Sequence, residues 1–478
     1  MNQALLIASD EWRYWFRSRF ALGAAFTFLL LIVVTSLLSN ARMHDEAHTR
    51  INQQADAEDT FLAQPDRHPH RMVHYGHYLF RSPAPLAQFD PGLDSVTGQS
   101  IFLEGHRQNT VMFAESASSA ELGGLPWLSP ALVYQLFAPL IIILLGHASI
   151  ARERESAVLS TLLATGTTSR RIISGKTLAL FSLSLALLVP LAASTSTVLV
   201  DGESLMTVAL LLLFYFLYLA VWVSLTLTVS IFAKKGARAL AVLAVLWCGC
   251  CLVLPSLAVN IATRTEPVAG KIETDFTMLQ ELRKLGDGHN ASDPSFQQLR
   301  SDTLEKYQVD KVEDLPVNFR GLVALEGEEK MTAVLNQFAY SRMAAELQQE
   351  RIMTQYSWLT PSLAIAFVSR SIAATDLVHY HRFQLEAEAV RFAFVQGLNQ
   401  AHVDKLSYRD DINRNKDEAS WKGARVDATN WEVLESFQFQ PASLGERIEN
   451  ASMSISILLC WTIVAFMSLV WFAGRVEL

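Results

Sequence analysis

IARERESAVLSTLLATGTTSRRIISGK, residues 150–176, lies between two long apolar stretches at 131–150 and 177–200. It opens on alternating Arg and Glu, continues as a short amphipathic segment and leaves on a basic pair. A charged link of this kind between two apolar runs reads as a membrane hairpin. About 20 apolar residues in a helix suffice to cross the ~30 Å hydrocarbon core.

The rest of the chain repeats the pattern. Of its 478 residues 51% are hydrophobic, and the mean hydropathy is +0.22. The apolar excess is gathered into blocks at 20–38, 131–150, 177–200, 205–232, 237–261 and 452–474. This predicts an all-α polytopic membrane protein with six transmembrane helices. The first block is not a cleavable signal, because its apolar core is long and Arg42 and His44 follow it with no small-residue cleavage site.

Charge orients the spans. Arg13, Arg17, Arg19, Arg152, Arg154, Arg170, Arg171, Lys176, Lys234, Lys235, Arg238 and Arg475 fall on one side, against Asp10, Glu11, Glu153, Glu155 and Glu477. The short turn on the opposite side, between the third and fourth spans, has only Asp201 and Glu203. Lys and Arg near span ends favour the cytoplasm, so both termini are expected inside and the loops 39–130 and 262–451 outside. The first loop holds six basic and eleven acidic residues and the second twenty-one and twenty-nine, so the net charge of −8 is carried outside. An acidic exterior does not suggest nucleic acid or an anionic lipid surface as the outer partner.

The loops read as follows. Residues 1–19 form an amphipathic helix on the inner membrane surface, with Trp12, Tyr14, Trp15 and Phe16 interfacial and Arg13, Arg17 and Arg19 toward lipid headgroups. Residues 43–58 are helical and polar. Residues 64–94, rich in Pro, His and Gly, are loop or short strand that packs on the other outer segment. Residues 262–451 form a mainly α-helical outer domain with helical spacing at 274–285, 295–307, 319–356 and 376–405. The charge run 404–422 reads as a solvated loop. Residues 358–374 contain Pro361 and Arg370, and read as a buried or interfacial helix rather than a seventh span. Cys248, Cys250, Cys251 and Cys460 all lie within spans and read as packing residues, so the outer segments fold without disulfides.

Six spans, an interfacial first helix and an Arg-Glu-Arg-Glu segment after the second span together resemble the permease subunits of ABC-2 type (type V exporter-like) transporters. The specific likeness covers 151–179: Glu153, Glu155, Leu159, Leu162, Leu163, Arg170, Arg171, Ile172, Ile173, Gly175 and Lys176. Where that family often has Gly after the second acid, this chain has Ser156 and Ala157. Large outer segments after the first and fifth spans, with Tyr75-Gly76, Asp90-Pro91-Gly92 and Glu104-Gly105-His106-Arg107, are similar to the subgroup serving copper-site maturation and gliding motility. The resemblance implies a coupling helix at 151–176. Arg152, Glu153, Arg154, Glu155, Arg170 and Arg171 would meet a partner ATPase, and Leu159, Leu162 and Leu163 would seat in its groove. A single helix at 153–164 would act as a lever on the second and third spans.

Ser174-Gly175-Lys176-Thr177 imitates the end of a phosphate loop. That loop needs a strand before it and Gly where Arg170 stands, so it is rejected. No catalytic motif occurs and the chain is not expected to be an enzyme. No cofactor is expected on it, ATP and Mg belonging to a separate ATPase. Metal ligands are not assigned, although His68, His70, His74, His77 and His106 are dense enough to consider zinc or copper. Pro139, Pro190 and Pro255 interrupt spans. The band Phe214, Tyr215, Phe216, Tyr218 and Trp222 reads as packing or lipid-facing surface.

The expectation is a multi-pass permease of the bacterial inner membrane that exports an apolar or amphipathic substrate. It would pair with ABC ATPase subunits, with a second copy or sister permease, with membrane lipid and with an extracytoplasmic protein. A second expectation is mechanotransmission, in which ATP hydrolysis moves the outer segments and nothing crosses. A third is a membrane-tethered metal-handling protein.

Overall fold

The computed structural model describes residues 3–111, 128–286, 288, 290–434 and 439–474; Arg475 and Glu477 lie outside them. The protein is an all-α polytopic membrane protein with one small hairpin. Among the described residues, seven helical segments are long and apolar enough to cross a membrane.

In chain order, α1 (Gln3–Arg17) meets α2 (Arg19–Leu62) at Ser18, whose side chain accepts from the Ala21 N–H. Then come α3 (Pro69–Tyr75), β1 (His77–Phe80), α4 (Asp94–Thr97) and β2 (Ser100–Leu103). The membrane part continues with α5 (Pro130–Gly146), the short α6 (Ala151–Glu155) and α7 (Val158–Ala164), and the long α8 (Ser169–Thr195) and α9 (Leu205–Phe232). Next are α10 (Gly236–Cys248) and α11 (Leu254–Thr265), joined through a π-helical turn at Gly249–Val253 that precedes Pro255. The second large segment holds α12 (Lys271–Arg283), α13 (Gln297–Tyr307), α14 (Phe319–Gln355), α15 (Pro361–Ala373), α16 (Leu377–Lys405), α17 (Tyr408–Asn413) and α18 (Glu418–Gly423). The final helix is α19 (Leu444–Ala473), begun by a capping box between Ser443 and Glu446.

Helix α9 is the hub of the membrane part, packed against α5, α8, α10, α15 and α19. The aromatic band is therefore interior: Tyr215, Tyr218 and Trp222 are fully buried. Polar atoms inside lipid need internal partners, and the band supplies them. The Tyr218 hydroxyl donates to the Gln135 carbonyl at 2.6 Å, and the Tyr134 hydroxyl to the Leu187 carbonyl at 2.7 Å. The Tyr215 hydroxyl accepts from the Gln135 amide at 3.1 Å and donates to Ser369 on α15 at 3.0 Å.

The segment at 358–374 forms α15, 13 residues long and thus ~20 Å, less than the hydrocarbon thickness. It is buried against α9 and α19 and ends at Ala374 in left-handed backbone, φ 58°. Arg447 of α19 locks that end by donating to the Ile372 carbonyl and pairing with Glu203 at 2.8 Å.

Outside the membrane part, the two large segments form one body. Phe61, Met72, Val73, Leu79 and Ile101 share an apolar core with Phe383, Phe394, Leu398 and Trp431. The antiparallel pairing of β1 with β2 (Tyr78 opposite Phe102) turns one face of the hairpin onto α16. Within this body α14 crosses α16 closely at Gly321, where an added methyl would meet the Val403 backbone nitrogen at 2.6 Å.

Gly321→Ala should therefore lower stability by ~1–3 kcal/mol through overpacking, despite the better helix propensity of Ala. Gly397→Ala, on an open face of α16 with nothing within 4 Å, should gain up to ~1 kcal/mol. Thermal unfolding of the detergent-solubilised chain by far-ultraviolet circular dichroism separates the two signs.

Candidate functional site

The coupling segment is built differently from a single lever. The chain breaks between α6 and α7 at Ala157, whose φ of 58° places an L-residue in left-handed backbone. Ser156 closes the first piece, its hydroxyl donating to the Arg152 carbonyl at 2.9 Å. The expectation of one helix over 153–164 is thus corrected to a two-helix elbow. Its bend falls where the resemblance led one to look for Gly, and the position needs positive φ, which Gly adopts freely and which costs Ala roughly 1–2 kcal/mol.

The charges expected to face a partner are largely engaged within the chain. Lys176, 1% exposed, forms ion pairs with both Glu11 and Glu153, and Glu11 is equally buried. Arg152 pairs with Glu11 at 2.8 Å and lies 3.7 Å from the Tyr14 ring centroid. Two acids and two bases balance there, as buried charge requires. Arg154 donates to the carbonyls of Ala233 (2.7 Å) and Ile231 (3.0 Å), sealing the end of α9. Glu155 accepts from the Gly236 N–H at 3.3 Å, at the start of α10. Leu159 is buried in the chain's own core, and Leu162 and Leu163 pack partly against it. Arg171 donates to Gln3 at 3.1 Å, while Arg170 is exposed; neither joins the buried cluster. The outward face of α7 is instead Val158, Thr161 and Ala164, with Val158 45% exposed.

Gly175 now has a role other than phosphate binding. Helix α1 crosses α8 there, and an added methyl would meet the Ile7 side chain at 2.6 Å. Close approach at Gly175 lets the neighbouring Lys176 reach Glu11. Glu11 and Lys176 were not singled out as functional in the sequence, yet a signal for Glu11 exists. Ala8, Glu11 and Trp15 recur at helical spacing and share the buried face of α1.

The histidines divide into three fates. His68 caps α3 and sits 3.1 Å from Asp411, which His402 reaches at 2.8 Å. Arg414 pairs with the same carboxylate, Asn318 donates to it at 3.3 Å, and Arg320 lies 3.6 Å away. Residues 404–422 keep most of their charges exposed, as expected, but are not a loop: they fold largely as α17 and α18 around a fully buried Asp411 that ties the two large segments together. His77 is buried beside the Phe61 ring at 4.9 Å and its pKa is lowered by burial, so it stands apart. His70, His74 and His106 converge, with one ligand nitrogen from each within 4.8 Å of the others. Behind His106, Glu328 of α14 lies 2.9 Å from Nδ1 and also pairs with Arg391 at 2.6 Å.

The buried carboxylates of this body are strongly perturbed. Burial alone would raise the Asp411 pKa, but hydrogen bonds from His402 and His68 and nearby positive charge hold it far below the usual range. Burial likewise opposes ionisation of Glu328, and the His106 hydrogen bond and Arg391 charge outweigh it, bringing the pKa down to about 2.

Residues 272–440, most of the second large segment, match a family model described as a domain of unknown function, DUF3526. No curated protein matches the chain. The matched stretch includes Glu328, Arg391, His402 and Asp411.

Two outcomes follow. Lys176→Met should leave two buried acids short of a partner and destabilise the chain by ~3–5 kcal/mol. The double change with Glu11→Gln should recover part of that loss in detergent thermal melts, and strict additivity of the two would show the pairing to be unimportant. Below pH ~4.5 Asp411 and Glu328 should withdraw stability from the extramembrane body progressively, while Glu388, whose pKa burial raises, acts in the opposite sense. Asp411 and Glu328 bind fewer protons folded than unfolded, so their contribution is present above the unfolded carboxylate pKa and drains as pH falls. Asp411→Asn should be less stable at pH 7 and show a shallower acid slope in unfolding midpoints.

Proposed function

We propose that this chain is the permease subunit of an ABC-2 type transporter, driven by a separate ATPase subunit that binds the ATP and Mg. The observation that carries the reading is the elbow at 151–168. It is welded through Glu11, Arg152, Glu153 and Lys176 to α1 and α8, while α7 offers an uncommitted face at Val158, Thr161 and Ala164. A partner pressing on α7 would move α1, α5 and α8 together, because the buried ion pairs resist separation. Energy would thus enter as a conformational step, as in other gated systems.

On this reading six segments cross the bacterial inner membrane: α2, α5, α8, α9, α10 with α11, and α19. Helix α15, too short alone, stays enclosed among them. Both termini and the elbow face the cytoplasm, in line with the Lys and Arg distribution. Transport takes place between this chain and a second copy or a sister permease. The interior hydrogen bonds of the bundle are made mostly by Tyr, Gln and Ser, with the Asp90 carboxylate accepting from Ser369 at one end, and so sparse an ionisable lining favours an apolar or amphipathic cargo over a small ion.

Mechanotransmission is the second reading, favoured by the unbroken run of α2 from the membrane part into the extramembrane body. A structure of the assembled dimer separates the two, a continuous cavity between the spans supporting transport and closed packing supporting transmission.

Affinity purification of the full chain from native membranes should recover an ATP-binding-cassette ATPase. Val158→Asp with Thr161→Arg should reduce that recovery at least tenfold with chain yield unchanged, because desolvating a charge in an apolar contact costs more than about 1.4 kcal/mol. Recovery of the chain alone, or full retention by the double variant, would refute the assignment.

A further inference from the structure

The geometry points to a divalent metal site of the zinc or copper class formed by His70, His74 and His106, backed by Glu328. His70 and His74 stand four residues apart on α3, the spacing that puts two side chains on one helical face. Their Nε2 atoms are 3.1 Å apart. Two nitrogens bound to one tetrahedral ion at ~2.0–2.1 Å are separated by about 3.3 Å, so the pair already has the bite of a metal. The third imidazole arrives from a different element. Pairing of β1 with β2 returns the chain beside α3, the Gly105 N–H donates to the Val73 carbonyl at 2.9 Å, and His106 adopts φ 62°. The His106 ring centroid comes within 5.4 Å of His70 and 5.1 Å of His74.

A histidine ligand is normally oriented through its second nitrogen by a carboxylate or carbonyl. Here Glu328 lies against His106 Nδ1, leaving Nε2 as the coordinating atom. The buried group behind it consists of Glu328, Glu388 and Arg391, the arginine paired with both acids. Fully ionised, that group carries one net negative charge and complements a cation at the imidazoles. Among the described residues the ligand set is three imidazoles, which suits zinc or copper better than magnesium and calcium, which take oxygen ligands. Three protein ligands also leave a coordination position for water or another molecule, and His74 is exposed, so the ion exchanges with solvent. The cluster at His68, His402 and Asp411 has metal-like ligand types, but Arg414 and Arg320 share its carboxylate and supply the positive charge a metal would bring.

The test is titration of the chelator-stripped full-length chain in detergent with zinc chloride, read by calorimetry against a zinc chromophore. One equivalent should bind at micromolar dissociation constant or tighter. His70→Ala with His74→Ala should weaken this at least a hundredfold, and His74→Ala, an exposed change compatible with folding, at least tenfold. His44→Ala with His48→Ala removes an exposed pair of the same spacing on α2 and should change nothing. Copper(II) bound to the wild type should show nitrogen couplings from imidazole in its electron paramagnetic resonance spectrum, and His106→Ala should reduce their number. Absence of saturable micromolar zinc binding overturns the site. So does binding that survives loss of His70 and His74 in a variant with unchanged circular dichroism, or that is lost equally with His44 and His48.

Discussion

Lys176 sits where an apolar helix meets the charged elbow, almost fully enclosed, and its ammonium is shared by two carboxylates from different helices. A lone charge in that position would be intolerable, and so would either acid without it. The requirement fixes three things together. Helix α1 must lie across α8, Gly175 must have no side chain so that it can do so, and α6 must fold back so that Glu153 reaches the same ammonium. Much of what reads in the sequence as a docking surface is consequently a joint, and the exposed face of the helix beyond the bend is neutral, with the exposed Arg170 and Arg171 following it.

A similar economy governs the extramembrane body. The apolar core there joins the two large segments, but two buried charge centres set their register. Asp411 gathers His68 from the first segment with His402 and Arg414 from the second, and Glu328 joins His106 to Arg391. Buried polar groups demand specific partners, so such centres select one arrangement where apolar contacts alone would tolerate several. The family likeness at 272–440 covers the second-segment half of each centre, while His68 and His106 come from outside it.

Much of this architecture was legible. The apolar blocks set out the membrane part, and the spacing of 319–356 and 376–405 gave the two long helices. What was not legible depended on distance along the chain. In the run 404–422 Asp411 has His402 and Arg414 close by in sequence, but its burial also needs His68, which is 343 residues away. His70 and His74 announce a shared face by their spacing, whereas the approach of His106 needs the β1–β2 pairing, a tertiary fact. Glu11 is the instructive intermediate. Its place between Ala8 and Trp15 marks it as inward-facing, but only Lys176 explains why an acid is tolerated there.

Helix α2 runs for 44 residues without a break, about 66 Å, roughly twice the hydrocarbon thickness. Its beginning abuts the joint around α1 and its far end, at Phe61, is embedded in the core shared with α16. Such a member works as a displacement amplifier. A rotation of about 10° about its midpoint sweeps each end through roughly 6 Å, given ~1.5 Å of rise per residue. Small rearrangements at one surface would therefore be read out on the opposite side as movements the size of a side chain.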